Sequence, residues 1–259
     1  MIQERLKELR AQMQERAIDI YIVPTSDFHQ SEYVGEYFKA RKYMTGFTGS
    51  AGTAVITKEE AGLWTDGRYF IQAEKQLEGS TVKLFKMGEE GVPKVEEYVK
   101  DHLTEGSCIG FDGRVMDAKS GEKYAKMAEE KKAALYVKED LVGNIWKDRP
   151  QLPANKVWIL EDAYAGRSMA DKIADVRTQM QKEGADIHIL SSLYDIAWLL
   201  NLRGGDIDHV PVFLSFVSIE KEQILLFCQS TDLRQRGTGL FRDCLLYTSP
   251  SPRDRQKSR

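Results

Sequence analysis

A helix-to-strand unit occurs twice in this chain, at a fixed offset of 167 residues. Residues 9–23 read LRAQMQERAIDIYIV, and residues 176–190 read VRTQMQKEGADIHIL. This period is far longer than the ~20–50 residues of a solenoid repeat unit. The repeat therefore predicts two tandem domains of similar fold. The first-copy residues that recur are Arg10, Gln12, Met13, Gln14, Asp19, Ile20 and Ile22.

Each copy continues with alternating strand and helix patterns, which indicates α/β domains with mixed sheets. The 259-residue length accommodates two such domains. Residues 141–155 contain Pro150 and Pro153 and little periodicity, so we expect a linker there. The expected domains are therefore residues 1–140 and residues 156–243, the second of them incomplete.

The character of the chain changes after about Thr231, where periodicity is lost and six arginines follow. Residues 245–254, LLYTSPSPRD, resemble the translation of a sequencing adapter. We therefore expect residues 244–259 to be a non-native tail and leave them out of the fold prediction. A solvated natural tail is the alternative.

Composition excludes several functional classes. The net charge of −3 argues against a nucleic-acid binder driven by bulk charge. The N-terminus lacks the apolar core of a signal peptide, and no apolar run reaches the ~18 residues of a membrane span. Three widely separated cysteines, Cys108, Cys228 and Cys244, form no disulfide framework. These features predict a cytoplasmic protein without nucleic-acid or membrane partners.

The stretch from Gly46 to Phe70 reads GFTGSAGTAVITKEEAGLWTDGRYF. A Gly/Ser loop precedes a β-branched strand over residues 53–57, a charged turn and a returning strand that ends at Thr65, so we expect a hairpin. Asp66 and Gly67 end the second strand with turn chemistry. Asp66 is then placed to cap a helix that begins near Arg68.

Arg68 is the candidate binding residue of this stretch. A planar, permanently charged guanidinium held at a strand-to-helix corner suits recognition of a carboxylate or of another polar group of a substrate. The alternative is a structural pair with Asp66 that holds the corner. Residue types alone favour the structural pair, because such ion pairs are common.

Three other patterns are weaker candidates. Asp206, Asp208 and His209 have oxygen and imidazole groups that could bind a divalent metal, but a polar turn is favoured because no further ligand follows at metal spacing. His29 could act as a base or ligand, although a hydrogen-bonded loop histidine is more common. The Gly/Ser loop lacks the Lys-Ser/Thr ending of a phosphate-binding loop.

Four motifs in this order resemble the Xaa-Pro aminopeptidases (aminopeptidase P) of the creatinase/prolidase family. They are the stretch from Gly46 to Phe70, HQSEY at residues 29–33, IWKDRP at residues 145–150 and IAWLLNLRGGDIDHVPVF at residues 196–213. The resemblance extends to about Phe227. It implies two creatinase-like N-terminal domains, while the C-terminal pita-bread catalytic domain is absent.

The resemblance also implies a chemistry. Family members use two divalent metal ions, which we expect to be Mn²⁺, to activate a hydroxide that removes the N-terminal residue preceding proline. Those metal ligands belong to the catalytic domain, so no catalytic or metal-binding residue is expected here and the chain alone is expected to be inactive. The family motif gives Arg68 a contact with the peptide substrate. A homodimer and a wall that limits substrate length are also implied.

Two alternatives remain open. Peptidase-like domains also persist as non-catalytic binding modules, which would require a genuine stop near residue 259 and a binding partner. A prolidase or creatinase is the other alternative. The WTDGRYF and IWKDRP motifs favour the aminopeptidase over both enzymes.

Overall fold

A computed structural model describes residues 1–229 and 244–247, and the chain divides into two compact units, Met1–Gln151 and Leu152–Arg259. The first unit begins with a helix whose apolar stripe is buried, followed by a strand, as the repeat predicts. Its elements are α1 (Ile2–Glu15), β1 (Ile20–Pro24), a 3-10 turn (Glu36–Phe38), α2 (Ala40–Thr45), β2 (Thr53–Thr57), β3 (Ala61–Thr65), α3 (Phe70–Leu77), β4 (Lys83–Lys86), α4 (Val95–His102), β5 (Cys108–Phe111), α5 (Ala118–Glu130), β6 (Ala134–Tyr136) and α6 (Leu141–Ile145).

The first unit is built on a six-stranded mixed sheet in the order β4-β3-β2-β1-β5-β6. Strand β2 runs antiparallel to β1 and β3, and every other neighbouring pair is parallel. The predicted hairpin is therefore present as β2 and β3. Because β1, β3, β4, β5 and β6 point the same way, the loops that follow them all leave from one edge of the sheet.

Both faces of this sheet are covered. On one face, α1 contributes Leu6, Leu9 and Met13 to a core that also includes residues of α6. On the other face, buried residues of α4 and α5 share a second core with Ile20 and Ile22 of β1. Burial on both faces explains why β1 reads as an uninterrupted apolar run.

The second unit repeats the first half of this plan. Its elements are β7 (Trp158–Ile159), α7 (Asp162–Ala165), α8 (Met169–Glu183), β8 (Ile187–Leu190), α9 (Leu193–Leu199), β9 (Leu202–Arg203), β10 (Ser215–Glu220), β11 (Ile224–Cys228) and β12 (Cys244–Tyr247). Helix α8 leads to strand β8, and a hairpin of β10 and β11 follows. The main sheet has the order β12-β11-β10-β8, and β7 pairs with β9 separately. Two tandem α/β domains with mixed sheets are thus confirmed.

Repeated residues make repeated contacts. In the first unit the Arg10 Nε donates to the Thr57 carbonyl at 2.9 Å, at the end of β2. In the second unit Arg177, the residue at the repeat offset, donates its Nε to the Glu220 carbonyl at 2.9 Å, at the end of β10. The arginine at this repeat position therefore joins the helix to the hairpin in both units.

The two units differ in how their equivalent strands are covered. Strand β1 pairs with β2 and β5, and Ile20 and Ile22 are each 1% exposed. In the part of the chain that the structure describes, β8 pairs only with β10, and the equivalent Ile187 and Ile189 are 56% and 70% exposed. Among the described residues of the second unit, the other edge of β8 is therefore unpaired and the face that carries Ile187 and Ile189 is exposed.

The stretch 141–155, which we expected to be a linker, begins as helix α6. Leu141 and Val142 are buried in the core of the first unit, and Trp146 stacks on Tyr43 with ring centroids 4.6 Å apart. Apolar spacing over five residues is too short to reveal such a helix from sequence.

The expected tail, residues 244–259, lies mostly outside the described residues. Of that tail the structure describes Cys244–Tyr247, as a strand parallel to β11. The described helices include none with the length and apolar character needed to cross a membrane.

Candidate functional site

The corner that follows β3 positions Arg68. We expected Asp66 to cap a helix that begins near Arg68, and this was wrong. Helix α3 begins at Phe70 behind Tyr69, without a side-chain cap. The Asp66 carboxylate instead accepts hydrogen bonds from Arg68, whose backbone N–H donates to Oδ1 at 3.1 Å.

Arg68 and Asp66 form a two-bond fork. The Arg68 Nε donates to Oδ1 at 2.8 Å, and Nη2 donates to Oδ2 at 2.9 Å. This pairing raises the pKa of Arg68 and lowers the pKa of Asp66. The Arg68 side chain is nevertheless 69% exposed, and the fork uses two of the five N–H groups of a guanidinium. The corner thus holds the arginine while leaving N–H groups available to a ligand.

The aromatic ring of Tyr69 packs beside Arg68 at this corner. The Tyr69 ring lies 5.1 Å from the Arg68 Cζ, and the Tyr69 hydroxyl lies 2.6 Å from the Ser50 Oγ. Phe47 meets the Tyr69 ring edge-on, with centroids 5.9 Å apart. These contacts join the Gly/Ser loop of residues 46–52 to the arginine corner.

Hydrogen bonds from the buried side chain of Arg41 hold the Gly/Ser loop in place. Arg41 is 3% exposed and donates to the Phe47 carbonyl at 2.7 Å, to the Gly49 carbonyl and to the Thr25 Oγ1 at 2.9 Å. Burial lowers the pKa of the Arg41 guanidinium to about 10, so it stays protonated at neutral pH. A phosphate-binding loop offers N–H groups to its ligand. Here the loop offers carbonyls to its own arginine.

A side chain at Gly49 would collide with the aromatic residues of the site. A Cβ there would lie 2.3 Å from the Phe47 Cζ and 2.8 Å from the Tyr69 Cδ1. The loop therefore requires glycine because its backbone packs against these two rings. Sequence reasoning identified the loop but missed Arg41, which lies among lysines in KARK and reads as a surface cation.

Asp206, Asp208 and His209 of the weaker candidates differ in burial. Asp206 is 9% exposed and accepts the Asn155 N–H at 2.9 Å on Oδ1 and the Leu214 N–H at 2.8 Å on Oδ2. Asp208 and His209 are exposed. His29 is 9% exposed, and its backbone N–H donates to the Asp27 Oδ1 at 2.8 Å. The described residues include no group of three or more His, Cys, Asp or Glu that could hold a metal ion.

A second Asp-Gly-Arg corner was missed entirely. Asp112, Gly113 and Arg114 follow β5 as Asp66, Gly67 and Arg68 follow β3. The Arg114 Nε donates to the Asp112 Oδ1 at 2.9 Å, and Nη2 donates to Oδ2 at 2.8 Å. The tripeptide directly after an apolar strand was the signal that could have revealed it.

Both units match known protein families. The family described as Creatinase/Prolidase N-terminal domain matches residues 5–138, and a second family of the same description matches residues 148–245. Together these matches cover both units of the chain.

Named relatives give the same picture. Aminopeptidase P2 of Arabidopsis thaliana is 41% identical over 236 residues, which cover 89% of this chain and 33% of that protein. Xaa-Pro aminopeptidase 1 of Dictyostelium discoideum is 38% identical over 244 residues, which cover 91% of this chain and 39% of that protein. The chain thus spans about a third of the length of these relatives.

A solved structure is also similar. It is the X-prolyl aminopeptidase of Caenorhabditis elegans, described as a cytosolic enzyme with a di-nuclear active site. The TM-score is 0.90 at 30% identity, and the match covers 96% of this chain and 42% of the solved chain.

Proposed function

The chain belongs to the creatinase/prolidase N-terminal domain family, and from this membership we propose that it is the N-terminal part of a Xaa-Pro aminopeptidase. The proposed enzyme is a cytoplasmic hydrolase that removes the N-terminal residue from peptides with proline in the second position. The support is the match to aminopeptidases along nearly the whole chain.

The chemistry would be carried out by residues that the described chain does not contain. The Caenorhabditis elegans relative is described as having a di-nuclear active site, and we propose two divalent ions, Mn²⁺, for the full-length enzyme. The described residues do not fit such a centre, because they include no cluster of ligands able to hold a metal. We therefore derive no catalytic step from them and propose that this chain alone is inactive.

Arg68 is the residue that we propose to bind the peptide. The observation that carries the proposal is its fork with Asp66, which fixes the guanidinium while the side chain remains 69% exposed. A rigid arginine of this kind loses little freedom when it binds a carbonyl or carboxylate oxygen. We also propose a homodimer and a wall that limits peptide length, both from the family resemblance.

The first experiment reads the source gene across the codons for Phe227 to Arg259. We expect the frame to continue into a domain with paired Asp, His and Glu ligands. A frame that ends at Arg259 would overturn the enzyme proposal and favour a non-catalytic binding module. The purified 259-residue protein is expected to release no residue from an Xaa-Pro peptide in the presence of Mn²⁺. Metal-dependent release would refute the proposed inactivity.

The second experiment tests Arg68 in the restored full-length enzyme. Arg68→Ala is expected to raise KM for an Xaa-Pro peptide about 10- to 100-fold, since a charge-assisted hydrogen bond is worth ~1.5–3 kcal/mol. Lys75→Ala is the control, because Lys75 is an exposed cation on the helix that follows the corner. Unchanged kinetics for Arg68→Ala would return Arg68 to a purely structural role.

A further inference from the structure

The first unit carries two arginine corners on one edge of its sheet. The first follows β3 at Asp66, and the second follows β5 at Asp112. Strands β3 and β5 point the same way, so both corners lie at the edge where the parallel strands end. Three strand intervals separate them, which at ~4.8 Å each places the strand ends about 14 Å apart.

The two corners have the same internal geometry. The backbone N–H of the arginine donates to the Oδ1 of its own aspartate at 3.1 Å for Arg68 and at 3.0 Å for Arg114. The Nε bonds are 2.8 and 2.9 Å, and the Nη2 bonds are 2.9 and 2.8 Å. One carboxylate thus fixes both the backbone and the guanidinium of each arginine.

Arg114 differs from a purely structural arginine nearby. Arg149 also pairs with an acid, Asp140, but its side chain is 13% exposed and its Nε donates to the Tyr37 carbonyl at 2.9 Å. The Arg114 side chain is 55% exposed, although its partner Asp112 is 10% exposed. The second corner therefore buries the acid and presents the arginine, whose Nη2 also lies 3.7 Å from the Oδ2 of Asp140.

The position of Arg114 in the fold also favours a binding role. From β1 the chain builds β2, β3 and β4 on one side, and then crosses to add β5 and β6 on the other. Ligands of open α/β sheets bind outside the carboxyl ends of the strands at such a switch point. A small cavity beside this corner is lined by Asp112 and Val115, which flank Gly113 and Arg114, whereas Arg114 itself lies outside the cavity lining.

We propose that Arg114 is a second binding residue for carboxylate groups of peptides, at the same sheet edge as Arg68. The choice of peptides as the ligand class rests on the proposed function. The fork with Asp112 uses two of the five N–H groups of the guanidinium. The N–H groups outside the fork match the two oxygens of a planar carboxylate, and a ligand there would compete with Asp140, whose Oδ2 lies 3.7 Å from Nη2. Phe28, whose ring lies 5.3 Å from the Arg114 Cζ, gives the ligand an apolar wall.

The test is an NMR titration of the ¹⁵N-labelled 259-residue protein, in which the arginine Nε–Hε signals are followed separately. The ligands are the dipeptide Ala-Pro and its C-terminal amide, which differ only in the carboxylate. We expect Ala-Pro to shift the Arg114 signal saturably and the amide to leave it in place. Arg10, whose Nε donates to the Thr57 carbonyl at the opposite edge of the sheet, is the internal control, and NaCl at matched ionic strength is the control for screening.

Each outcome decides the matter. An Arg114 signal that does not move, or that moves equally with the amide or with NaCl, overturns the inference. If Arg68 responds and Arg114 does not, only this inference fails. If Arg114 responds and Arg68 does not, the proposed role of Arg68 fails instead. Arg114→Lys keeps a charge beside Asp112 but loses the fork, and is expected to weaken Ala-Pro binding at this corner about tenfold.

Discussion

Two isoleucines at equivalent positions of the repeat are expected to differ sharply in what they contribute to stability. Ile22 in β1 is 1% exposed, between α4 and α5 on one side and the sheet on the other. Ile189 in β8 occupies the same repeat position and is 70% exposed. Both residues are isoleucines at the same position of equivalent strands, so a difference between them reports the effect of the helices that cover Ile22.

The expected magnitudes follow from burial. Ile22→Ala removes buried methyl and methylene groups and leaves a cavity, which costs about 2–5 kcal/mol of the free energy of unfolding. Ile189→Ala removes atoms that are mostly in water already, and is expected to change that free energy by less than ~0.5 kcal/mol. For a unit of this size, a loss of ~3 kcal/mol lowers the melting temperature by roughly 6–12 °C.

Hydrogen exchange measured by mass spectrometry is the suitable assay, because the two units need not unfold together and a single melting curve could mix them. Peptides that contain β1 report on the first unit, and peptides that contain β8 report on the second. A loss of ~3 kcal/mol should accelerate exchange through global opening of the first unit about 100-fold.

Two results would contradict these expectations. A loss of ~2 kcal/mol or more from Ile189→Ala would mean that the outer face of β8 is covered in solution. A neutral effect of Ile22→Ala would remove the role assigned to α4 and α5. Ile189→Thr offers a further check, since a hydroxyl on an uncovered strand face is tolerated and one in a closed apolar core is not.

Asp206→Ala is expected to lower the free energy of unfolding of the second unit by about 2–4 kcal/mol, because two backbone N–H groups lose their buried acceptor. Asp208→Ala, at the exposed neighbour, is the control and is expected to be near neutral. Urea unfolding compares the two variants. Arg41→Gln should loosen the Gly/Ser loop by about 1–3 kcal/mol per unbonded carbonyl, seen as faster amide exchange over residues 46–52. Arg68 lowers the pKa of Asp66 below 3.8, so the stabilisation from this pair is complete above that pH and is lost as the pH falls through the lowered pKa. A carboxyl ¹³C titration of Asp66 with a midpoint at or above 3.8 would contradict this.

The internal repeat allowed the two-unit architecture to be predicted because its identities lie at positions with defined contacts. Arg10 and Arg177 tie helix to hairpin in the same way, and Met13 and Met180 are both buried. The hairpin of β2 and β3 was also predictable, because a β-branched run is followed by a charged turn and a second, mostly apolar run. Each hairpin and each copy of the repeat is a short segment of the chain, where sequence and geometry are closely linked.

Burial of the repeated strand could not be predicted from the same pattern. Ile20 and Ile187 are identical in type and in repeat position, yet they are 1% and 56% exposed. An apolar strand favours a covering layer without specifying that one is present. That layer is provided in the first unit by α4 and α5, which come some 75–110 residues after Ile20 in the chain.

In the two arginine corners, too, some features depend on neighbouring residues and others on residues far away in the chain. The fork between aspartate and the arginine two residues later depends only on the tripeptide and on a strand that ends before it, so it recurs with nearly equal distances at Arg68 and Arg114. What surrounds each fork depends on distant residues. Asp66 is 37% exposed, whereas Asp112 is 10% exposed. The tripeptide therefore predicts that an arginine is held, and the fold decides what can reach it.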